Sequence, residues 1–416
     1  MTIVFNSRYG ARRVKTLSSK IGSGKTPTGG SATYVDSGVI FLRSQNVHFN
    51  GLRLHDVAYI NDATDQEMNG TRVKAGDVLL NITGASLGRV TKAPDGLGAA
   101  NVNQHVCIIR PSRDVVPAYL AYALAARPSQ EQISALQMGG NREGLNFEQV
   151  GNLVLPAAPL EDQRRITKYL DAEVSKIDDL VSKKRQLISL MEKRIDSRVL
   201  QYVGSSQLVH PSTGGPTLPI RRALSKVNRP AVANVGVITA YRDGQVTERG
   251  LRRAEGYTLS ASTDPQGQSV QVGDVVVHGL DGFAGAIGTS EAVGNCSPVY
   301  HVCVPTGAQD ARFLGRLLRL LALQGYLGNF ATSTRERAVD FRNWDLFGRI
   351  PIPVVNVEDQ REIGDWITKL RPLRKAVARS EALAAERREA LITAAVTGQF
   401  DVSTASGRNV TEGVSV

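Results

Sequence analysis

A six-residue motif occurs twice in this chain and constrains its architecture more than any other feature. The motif EDQRRI at residues 161–166 recurs as EDQREI at residues 358–363, which lies 197 residues later. The same offset relates VKAGDV at 73–78 to VQVGDV at 270–275, and a third pair, LVLP and IPIP, shortly precedes the two motif copies. Three matches at one offset and in one order predict a tandem duplication of a unit of roughly 200 residues. Two similar modules suit a ligand with two similar parts.

A long helical pattern follows each copy of the motif. Residues 161–203 contain no Gly or Pro, and their apolar residues step by threes and fours, which is the spacing of a coiled-coil seam. The first seam comprises Leu170, Val174, Ile177, Val181, Ile188 and Met191. The second, looser seam comprises Leu370, Leu373, Val377 and Leu391. Pro372 is expected to kink the second helix or to mark where its long part starts.

Two helices of about 40 residues, each roughly 60 Å long, exceed what one small domain covers. They are therefore predicted to pack on each other as an antiparallel coiled coil. The alternative is two independent surface helices, each lying on its own domain.

The remaining residues predict two globular modules of mixed character. Short apolar stretches such as 73–82 and 102–109 predict strands, and residues 117–126 predict a short helix. The predicted fold is α/β (α+β), with two globular domains separated by two long antiparallel helices in a pseudo-twofold internal repeat. The predicted spans are a first module at 1–155, a first helix at 156–203, a Gly/Ser/Pro-rich linker at 204–219, a second module at 220–350, a second helix at 351–400 and a disordered tail at 401–416.

The charge of the chain indicates a polyanionic partner. The net charge is +11 and the pI is about 9.6, which does not by itself choose between nucleic acid and a membrane surface. No stretch of 18 apolar residues is present, and the N-terminus lacks the apolar core of a signal peptide. Three cysteines cannot form a disulfide framework, so a cytoplasmic location is expected.

The loop GSGKT at residues 22–26 is similar to a phosphate-binding P-loop but departs from its pattern. The pattern needs a glycine where Ser19 stands, and Pro27 follows directly, where a helix should continue. A Gly-rich loop whose amides and Lys25 contact a DNA phosphate is therefore favoured over nucleotide binding.

Two His/Cys pairs occupy matching positions in the repeat. His105 and Cys107 align with His301 and Cys303 if the second copy lacks one residue. A metal site would need both pairs in one place or further ligands, so strand-core residues are favoured and no metal is expected. No catalytic arrangement of Ser, His and Asp or of paired carboxylates stands out, which favours a chain that is not an enzyme and holds no cofactor of its own.

Polar and cationic side chains are abundant in the turn-rich segments of both modules. Arg, Lys, Asn and Gln are the side chains that contact base edges and phosphates, although a solvated basic surface explains any one of them about as well. In the first module the candidate DNA-binding residues are Lys25, Arg43, Gln45, Asn46, Arg72, Thr83, Ser86, Arg89, Asn103, Gln104 and Arg142. In the second module they are Arg242, Arg249, Arg252, Arg253, Arg335 and Arg337.

Several motifs resemble those of the specificity (S) subunits of type I restriction–modification enzymes. They are PAAPLEDQ at 156–163, GSGKTP at 22–27, GDVLL at 76–80, NREGLN at 141–146 and the helix end at 382–402. The resemblance covers nearly the whole chain. The second copy departs from it because VVNV replaces the second proline turn and no GSGKTP loop precedes Ala231.

This resemblance implies a mechanism. Each module would be a target recognition domain that reads one half of an interrupted, asymmetric site in double-stranded DNA, and the helices would fix the spacing of the half-sites. The chain would dock two modification subunits, which methylate adenine with S-adenosylmethionine, and two restriction subunits, which use ATP and Mg²⁺. The alternatives are a specificity chain with a fused methyltransferase–nuclease partner, and a coiled-coil adaptor that does not bind DNA.

Overall fold

The computed structural model describes residues 7–137, 144–203, 215–252, 266–330, 334–335, 338–399 and 401–402. Most of the predicted linker, 204–214, and most of the predicted tail, 403–416, lie outside these residues. The chain forms two compact units. The first contains residues Met1–Lys183 and Ala378–Val416, and the second contains Lys184–Val377. Each long helix therefore contributes one part to each unit.

The first unit combines short strands with helices. Its strands are β1 (Ala11–Arg13), β2 (Ser18–Ser23), β3 (Val39–Leu42), β4 (Val47–His48), β5 (Gly51–Leu52), β6 (Ala58–Ile60), β7 (Val78–Asn81), β8 (Val90–Lys92), β9 (Ala100–Val102), β10 (Val106–Pro111) and β11 (Val154–Pro156). Its helices are α1 (Val14–Leu17), α2 (Asp62–Glu67), α3 (Pro117–Ala125), α4 (Arg127–Ala135), α5 (Phe147–Asn152) and the first part of α6 (Leu160–Val203).

A four-stranded antiparallel sheet with the order β2-β10-β7-β8 organises this unit. Successive side chains of a strand point to opposite faces, and here both faces are buried. On one face, Leu80 and Ile109 belong to the core that also contains Leu120 of α3. On the other face, Leu79 and Ile108 pack with residues of the β6-β3-β9 sheet. Because both faces are covered, β7 and β10 are continuously apolar and not alternating.

The second unit repeats this arrangement. Its strands are β12 (Thr217–Pro219), β13 (Leu224–Val227), β14 (Ile238–Ala240), β15 (Val246–Glu248), β16 (Gln268–Val270), β17 (Val275–His278), β18 (Ile287–Thr289), β19 (Gly294–Cys296), β20 (Tyr300–Pro305), β21 (Thr334–Arg335), β22 (Ala338–Val339) and β23 (Pro351–Pro353). Its helices are α7 (Ile220–Ala223), α8 (Ala311–Leu323), α9 (Trp344–Phe347), the second part of α6 and the first part of α10 (Val357–Thr397).

The strand order of its four-stranded sheet, β13-β20-β17-β18, is that of the first unit. The predicted α/β class with two domains is confirmed by this architecture. The long helices begin at Leu160 and Val357, a few residues after the predicted starts, because the residues just before them form β11 and β23. Part of the predicted linker forms β12, which pairs with β23.

The repeated turn before β7 and β17 depends on one buried carboxylate in each unit. Gly76 has a φ of +81° and Gly273 a φ of +93°, a conformation that glycine adopts without strain. Asp77, which is 1% exposed, accepts a hydrogen bond from the backbone N–H of Lys74 at 2.7 Å. Asp274 accepts the equivalent bond from Gln271 at 2.7 Å. In both units, the aspartate of the repeated GDV sequence thus closes the turn that precedes its strand.

The arginine that neutralises this carboxylate differs between the units. Arg110 at the end of β10 pairs with Asp77 at 2.7 Å, whereas Arg229, which follows β13, pairs with Asp274 at 2.5 Å. A buried carboxylate needs a cationic partner, but either neighbouring strand can supply it.

The predicted alignment of the two His/Cys pairs is wrong in register. Val78 and Val275 each follow the buried aspartate, and the residues opposite them are Ile109 and Cys303. Cys303 is therefore equivalent to Ile109, and His301 is equivalent to Cys107. The error is two residues, which keeps every side chain on the same face of its strand, so the hydrophobic pattern alone could not reveal it.

The long helices pack on each other in both units. In the first unit, Leu170 and Val174 of α6 share a core with Leu391 and Val396 of α10. In the second unit, Glu192 pairs with Arg374 at 2.5 Å, and Arg198, further along α6, pairs with Glu362 at 3.5 Å. Since the partner number falls as the α6 number rises, the two segments run antiparallel. That the pair forms a regular coiled coil stays a prediction.

The seam is less regular than the sequence predicts. Leu370 is 2% exposed, but Leu373 is 43% exposed because the helix turns Arg374 towards α6 instead. Val377 and, on α6, Ile177, Val181, Ile188 and Met191 are half-buried. The helix continues through Pro372.

The glutamine of the repeated motif joins each long helix to its unit. Gln163 is 5% exposed; its Oε1 accepts from the backbone N–H of Val116 at 2.8 Å, and its Nε2 donates to the carbonyl of Ala158 at 2.9 Å. Gln360, 1% exposed, forms the same pair of bonds with Asp310 at 3.0 Å and Val355 at 2.8 Å. One amide thus holds the start of the long helix against the segment that leads into α3 or α8.

We expect Gln163→Leu to lower the free energy of unfolding by about 1–3 kcal/mol, because it leaves a backbone N–H and a carbonyl without partners. Urea unfolding monitored by circular dichroism measures this loss. Lys168→Ala, an exposed change on the same helix, is the control and should alter stability little. Equal stability of the two variants would contradict the role of Gln163.

Candidate nucleic-acid interface

Several polar loops lie together at one end of the strands of the four-stranded sheet in the first unit. Because neighbouring strands are antiparallel, the ends of β2 and β7 meet the starts of β8 and β10 there. We call this edge the polar edge and define it by the loops 24–27, 83–89 and 103–105 that leave or enter these strands. It contains Lys25, Thr83, Ser86, Arg89, Asn103 and Gln104, which are six of the candidates from the sequence.

Hydrogen bonds join the three loops of the polar edge. Thr26 donates to the side-chain carbonyl of Gln104. The Nε2 atoms of Gln104 and His105 lie 3.0 Å apart, and the Oγ1 atom of Thr83 lies 2.6 Å from Nδ1 of His105. Lys25, next to Thr26, is exposed. The network fixes the loops in place and leaves the Lys25 ammonium in solvent.

A fourth loop, which follows β3, reaches the same edge. The backbone N–H of Asn103 donates to Leu42 at 3.0 Å, and the amide of Asn81 donates to the carbonyl of Ser44 at 2.8 Å and to the Ser86 hydroxyl at 3.0 Å. Arg43 and Gln45 are therefore close to the edge. Both also bond to Asp56, Arg43 at its carbonyl and Gln45 at its carboxylate.

The charge in this region is positive. Burial lowers the pKa of His48, and the nearby charges of Arg53 and Arg89 lower it further. His48 and Arg53 were not among the candidates from the sequence. Their position within ten residues of Arg43, in the same segment of the sequence, is the signal that could have identified them.

Two candidates have structural roles that compete with DNA binding. Asn46 is 1% exposed, and its amide bonds to the backbone of Arg43, Arg53 and Asp56. Arg72 forms an ion pair with Asp65 at 2.5 Å and lies near Arg110, at the far end of β10 from the polar edge. Arg142 lies outside the described residues.

In the second unit, arginines surround the hairpin turn between β14 and β15. Arg242 is 69% exposed and pairs at 3.0 Å with Asp281, which follows β17. The guanidinium of Arg252 lies over the ring of Tyr241 at 4.1 Å and pairs with Asp243 at 2.8 Å. Arg249 is half-buried. Arg253 and Arg337 lie outside the described residues, and of Arg335 only the backbone, in β21, is described.

The GSGKT loop does not have P-loop geometry. It follows β2, but residues 24–28 form neither helix nor strand. A Cβ atom at Gly24 would overlap with the carbonyl oxygen of Val102, so the loop packs directly on the backbone before Asn103. The glycine allows this close approach between two loops of the polar edge.

The cysteines are core residues of their sheets. Cys107 and Cys303 are fully buried, and burial raises the pKa of each thiol to about 12, so neither is the thiolate that binds metals. Among the described residues, no group of three His, Cys, Asp or Glu side chains could hold a metal ion. None of the described helices is both long and apolar enough to cross a membrane.

Residues 20–190 match the family model described as the type I restriction modification DNA specificity domain. No curated protein matches the chain. A solved chain from a study of complex assembly and conformational transition of the type I R-M system has a TM-score of 0.52 at 16% identity, covering 94% of this chain and 98% of its own. The HsdS subunit from Thermoanaerobacter tengcongensis is 16% identical with a TM-score of 0.41, covering 94% of this chain and 97% of its own. The S subunit from M. genitalium is 13% identical with a TM-score of 0.47, and the match covers 95% of this chain and 98% of its own. The family model confirms the resemblance to specificity subunits over residues 20–190, and the first of these structures shows a shared fold.

We expect Gly24→Ala to destabilise the first unit by about 1–3 kcal/mol, because the added methyl group must displace the backbone at Val102. Gly22→Ala is a matched control, since a Cβ atom there meets only the flexible side chain of Lys20 at 3.9 Å. Thermal unfolding of both variants measures the difference. If Gly24→Ala melts like Gly22→Ala, the loop does not pack as described.

Proposed function

We propose that this chain, which resembles the specificity subunits of type I restriction–modification systems, is the DNA sequence-specificity subunit of such a complex. It would recognise a bipartite, asymmetric DNA site, with one half read by each unit. It would act without catalysis of its own, in the cytoplasm, and would dock modification and restriction subunits that carry S-adenosylmethionine, ATP and Mg²⁺.

The observation that carries the proposal is the convergence of polar loops on one edge of the first sheet. Lys25 is available for a phosphate, and Arg89 and the remaining donors and acceptors of Gln104, Asn103 and Ser86 are of the kinds that contact bases. A partly buried hydrogen-bond network supports these loops, as precise readout of base edges requires.

The second unit supports an asymmetric site. It has the same strand order, but its side chains differ: Arg242 lies in the turn between β14 and β15, and Arg252 follows β15 and pairs with Asp243 of that turn. Different side chains on the same scaffold would read a different half-site. The long helices would then set the spacing of the half-sites and hold the partner subunits.

We expect Lys25→Ala to weaken DNA binding about equally for all sequences and to reduce the slope of log K against log salt by about one, as the loss of one phosphate contact would. Fluorescence anisotropy across a salt series measures both quantities. Lys74→Ala is the matched control, because Lys74 is exposed at the opposite end of β7. ATP binding that Lys25→Ala abolishes would instead favour the P-loop interpretation.

Exchanging residues 220–350 for those of another specificity subunit should change one half-site and leave the other intact. Long-read methylation mapping of a host that carries the exchanged gene and its modification subunit reads both half-sites at once. A change in both half-sites together would contradict separate reading by the two units. Absence of salt-dependent DNA binding by the wild-type chain would favour the adaptor alternative.

A further inference from the structure

A cleft in the second unit is lined by five arginines. Helix α8 contributes Arg312, Arg316 and Arg319, and α10 contributes Arg371 and Arg374. Strand β18 forms one wall, with Gly288 and Thr289, and the volume of the cleft is about 30 Å³. Nothing in the proposed reading of DNA requires five arginines between a short helix and a long one.

The carboxylates around the cleft do not satisfy all five guanidinium groups. Among the described residues that line the cleft, Glu291 is the only carboxylate, and it lies 3.4 Å from Arg371. Arg316 and Arg374 pair with acids of α6, and Arg312 pairs with Asp310 and Asp365. Arg319 has no carboxylate partner among the described residues; it donates to the carbonyl of Arg242 at 3.2 Å.

One buried donor in the cleft has no acceptor. The Nε atom of Arg319 is buried without a hydrogen-bond partner, whereas the Nε atom of Arg371 lies 3.4 Å from a carboxylate oxygen of Glu291 without forming a hydrogen bond. Burial lowers the pKa of both side chains. Buried donors are almost always bonded, and an unsatisfied one in a polar cleft indicates a missing acceptor.

The first unit provides an internal comparison. The Gln163 and Gln360 bonds make Val116 equivalent to Asp310, so Ala118, Tyr122 and Ala125 of α3 stand where α8 has its three arginines. These residues line an equivalent cleft of about 230 Å³, with Val174 in the place of Arg371. Its charged lining residues are Lys92, Arg388, Asp171 and Asp178, which balance. The fold therefore does not need the arginines.

We propose that the arginine cleft of the second unit binds a phosphate-type oxyanion. Guanidinium groups offer paired N–H donors that match the oxygens of phosphate, and an anion supplies the acceptor that the Nε atom of Arg319 lacks. The cleft exceeds the ~10–15 Å³ that one water molecule needs. The group is either free inorganic phosphate or one phosphodiester of bound DNA.

The bound anion bridges two elements of the second unit. Arg312, Arg316 and Arg319 belong to α8 of the globular part, and Arg371 and Arg374 belong to the long helix. An oxyanion held by both sides stabilises the packing of α10 on α8. Anything that binds the folded state raises its stability with concentration, so the site has a thermodynamic signature.

The test is titration of the full chain with sodium phosphate against sodium chloride at constant ionic strength. Isothermal titration calorimetry measures binding, and the melting temperature should rise with phosphate but not with chloride. Arg319→Gln and Arg371→Gln each remove charged hydrogen bonds to the anion and should raise the phosphate dissociation constant about tenfold or more. Arg319 has the further advantage that its replacement leaves no carboxylate unpaired.

Arg388→Gln is the matched control, because Arg388 lines the equivalent cleft of the first unit. It should bind phosphate as the wild type does. Failure of the wild-type chain to bind phosphate would overturn the proposal, as would undiminished binding by both α8 and α10 variants. Repeating the titration with cognate duplex present distinguishes the sources. Loss of the phosphate signal assigns the site to a DNA phosphodiester, and its persistence assigns it to the free ion.

Discussion

The structure depends on one buried side-chain amide in each half of the chain. Gln163 and Gln360 each bond to the backbone before a short helix and to the backbone before their own long helix. A buried amide that is hydrogen-bonded at both its oxygen and its nitrogen holds two backbone segments at a fixed distance and orientation. The starting points of α6 and α10 relative to their own sheets are therefore set by hydrogen bonds.

The two units show which features the duplicated fold requires and which it tolerates. Both keep the strand order, the buried aspartate after a glycine turn and the bonded glutamine. The arginine that pairs with the aspartate comes from a different part of the sheet, and the charged lining of the cleft beside the long helices changes from two basic and two acidic residues to five arginines and one glutamate. Both units thus retain the polar side chains that hydrogen-bond to the backbone. The side chains that would contact a ligand or pair with a charged group differ between them.

The sequence predicted the features that local patterns control. The duplication, the α/β class, the two long helices and the short helix predicted at 117–126 follow from local patterns, and each is present, with the short helix at Pro117–Ala125. The register of Cys303 could not be predicted, because a shift of two residues leaves the pattern of apolar side chains unchanged. The exposure of Leu373 and the inward position of Arg374 depend on Glu192, which lies 182 residues away in the chain.

The candidate site was predictable only as a set of residue types. Lys25, Gln104 and Thr83 come together because three strand ends meet at one edge, which no local pattern specifies. Conversely, nothing local distinguishes the buried Asn46 from the exposed Gln45 beside it. Burial decides which of two adjacent amides can reach a base, and burial is a property of the tertiary structure. The DNA contacts therefore stay a prediction at the level of single residues.

The discontinuous first unit has a consequence for how the chain folds on the ribosome. The second unit is one continuous stretch, Lys184–Val377, and its synthesis is complete before Leu391 and Val396 are added. Until then, Leu170 and Val174 on the early part of α6 lack their contacts with α10. Domains fold as units during synthesis, so the part of the chain that is made first is the last to be finished. In that interval the apolar face of α6 is the surface that a chaperone would need to cover.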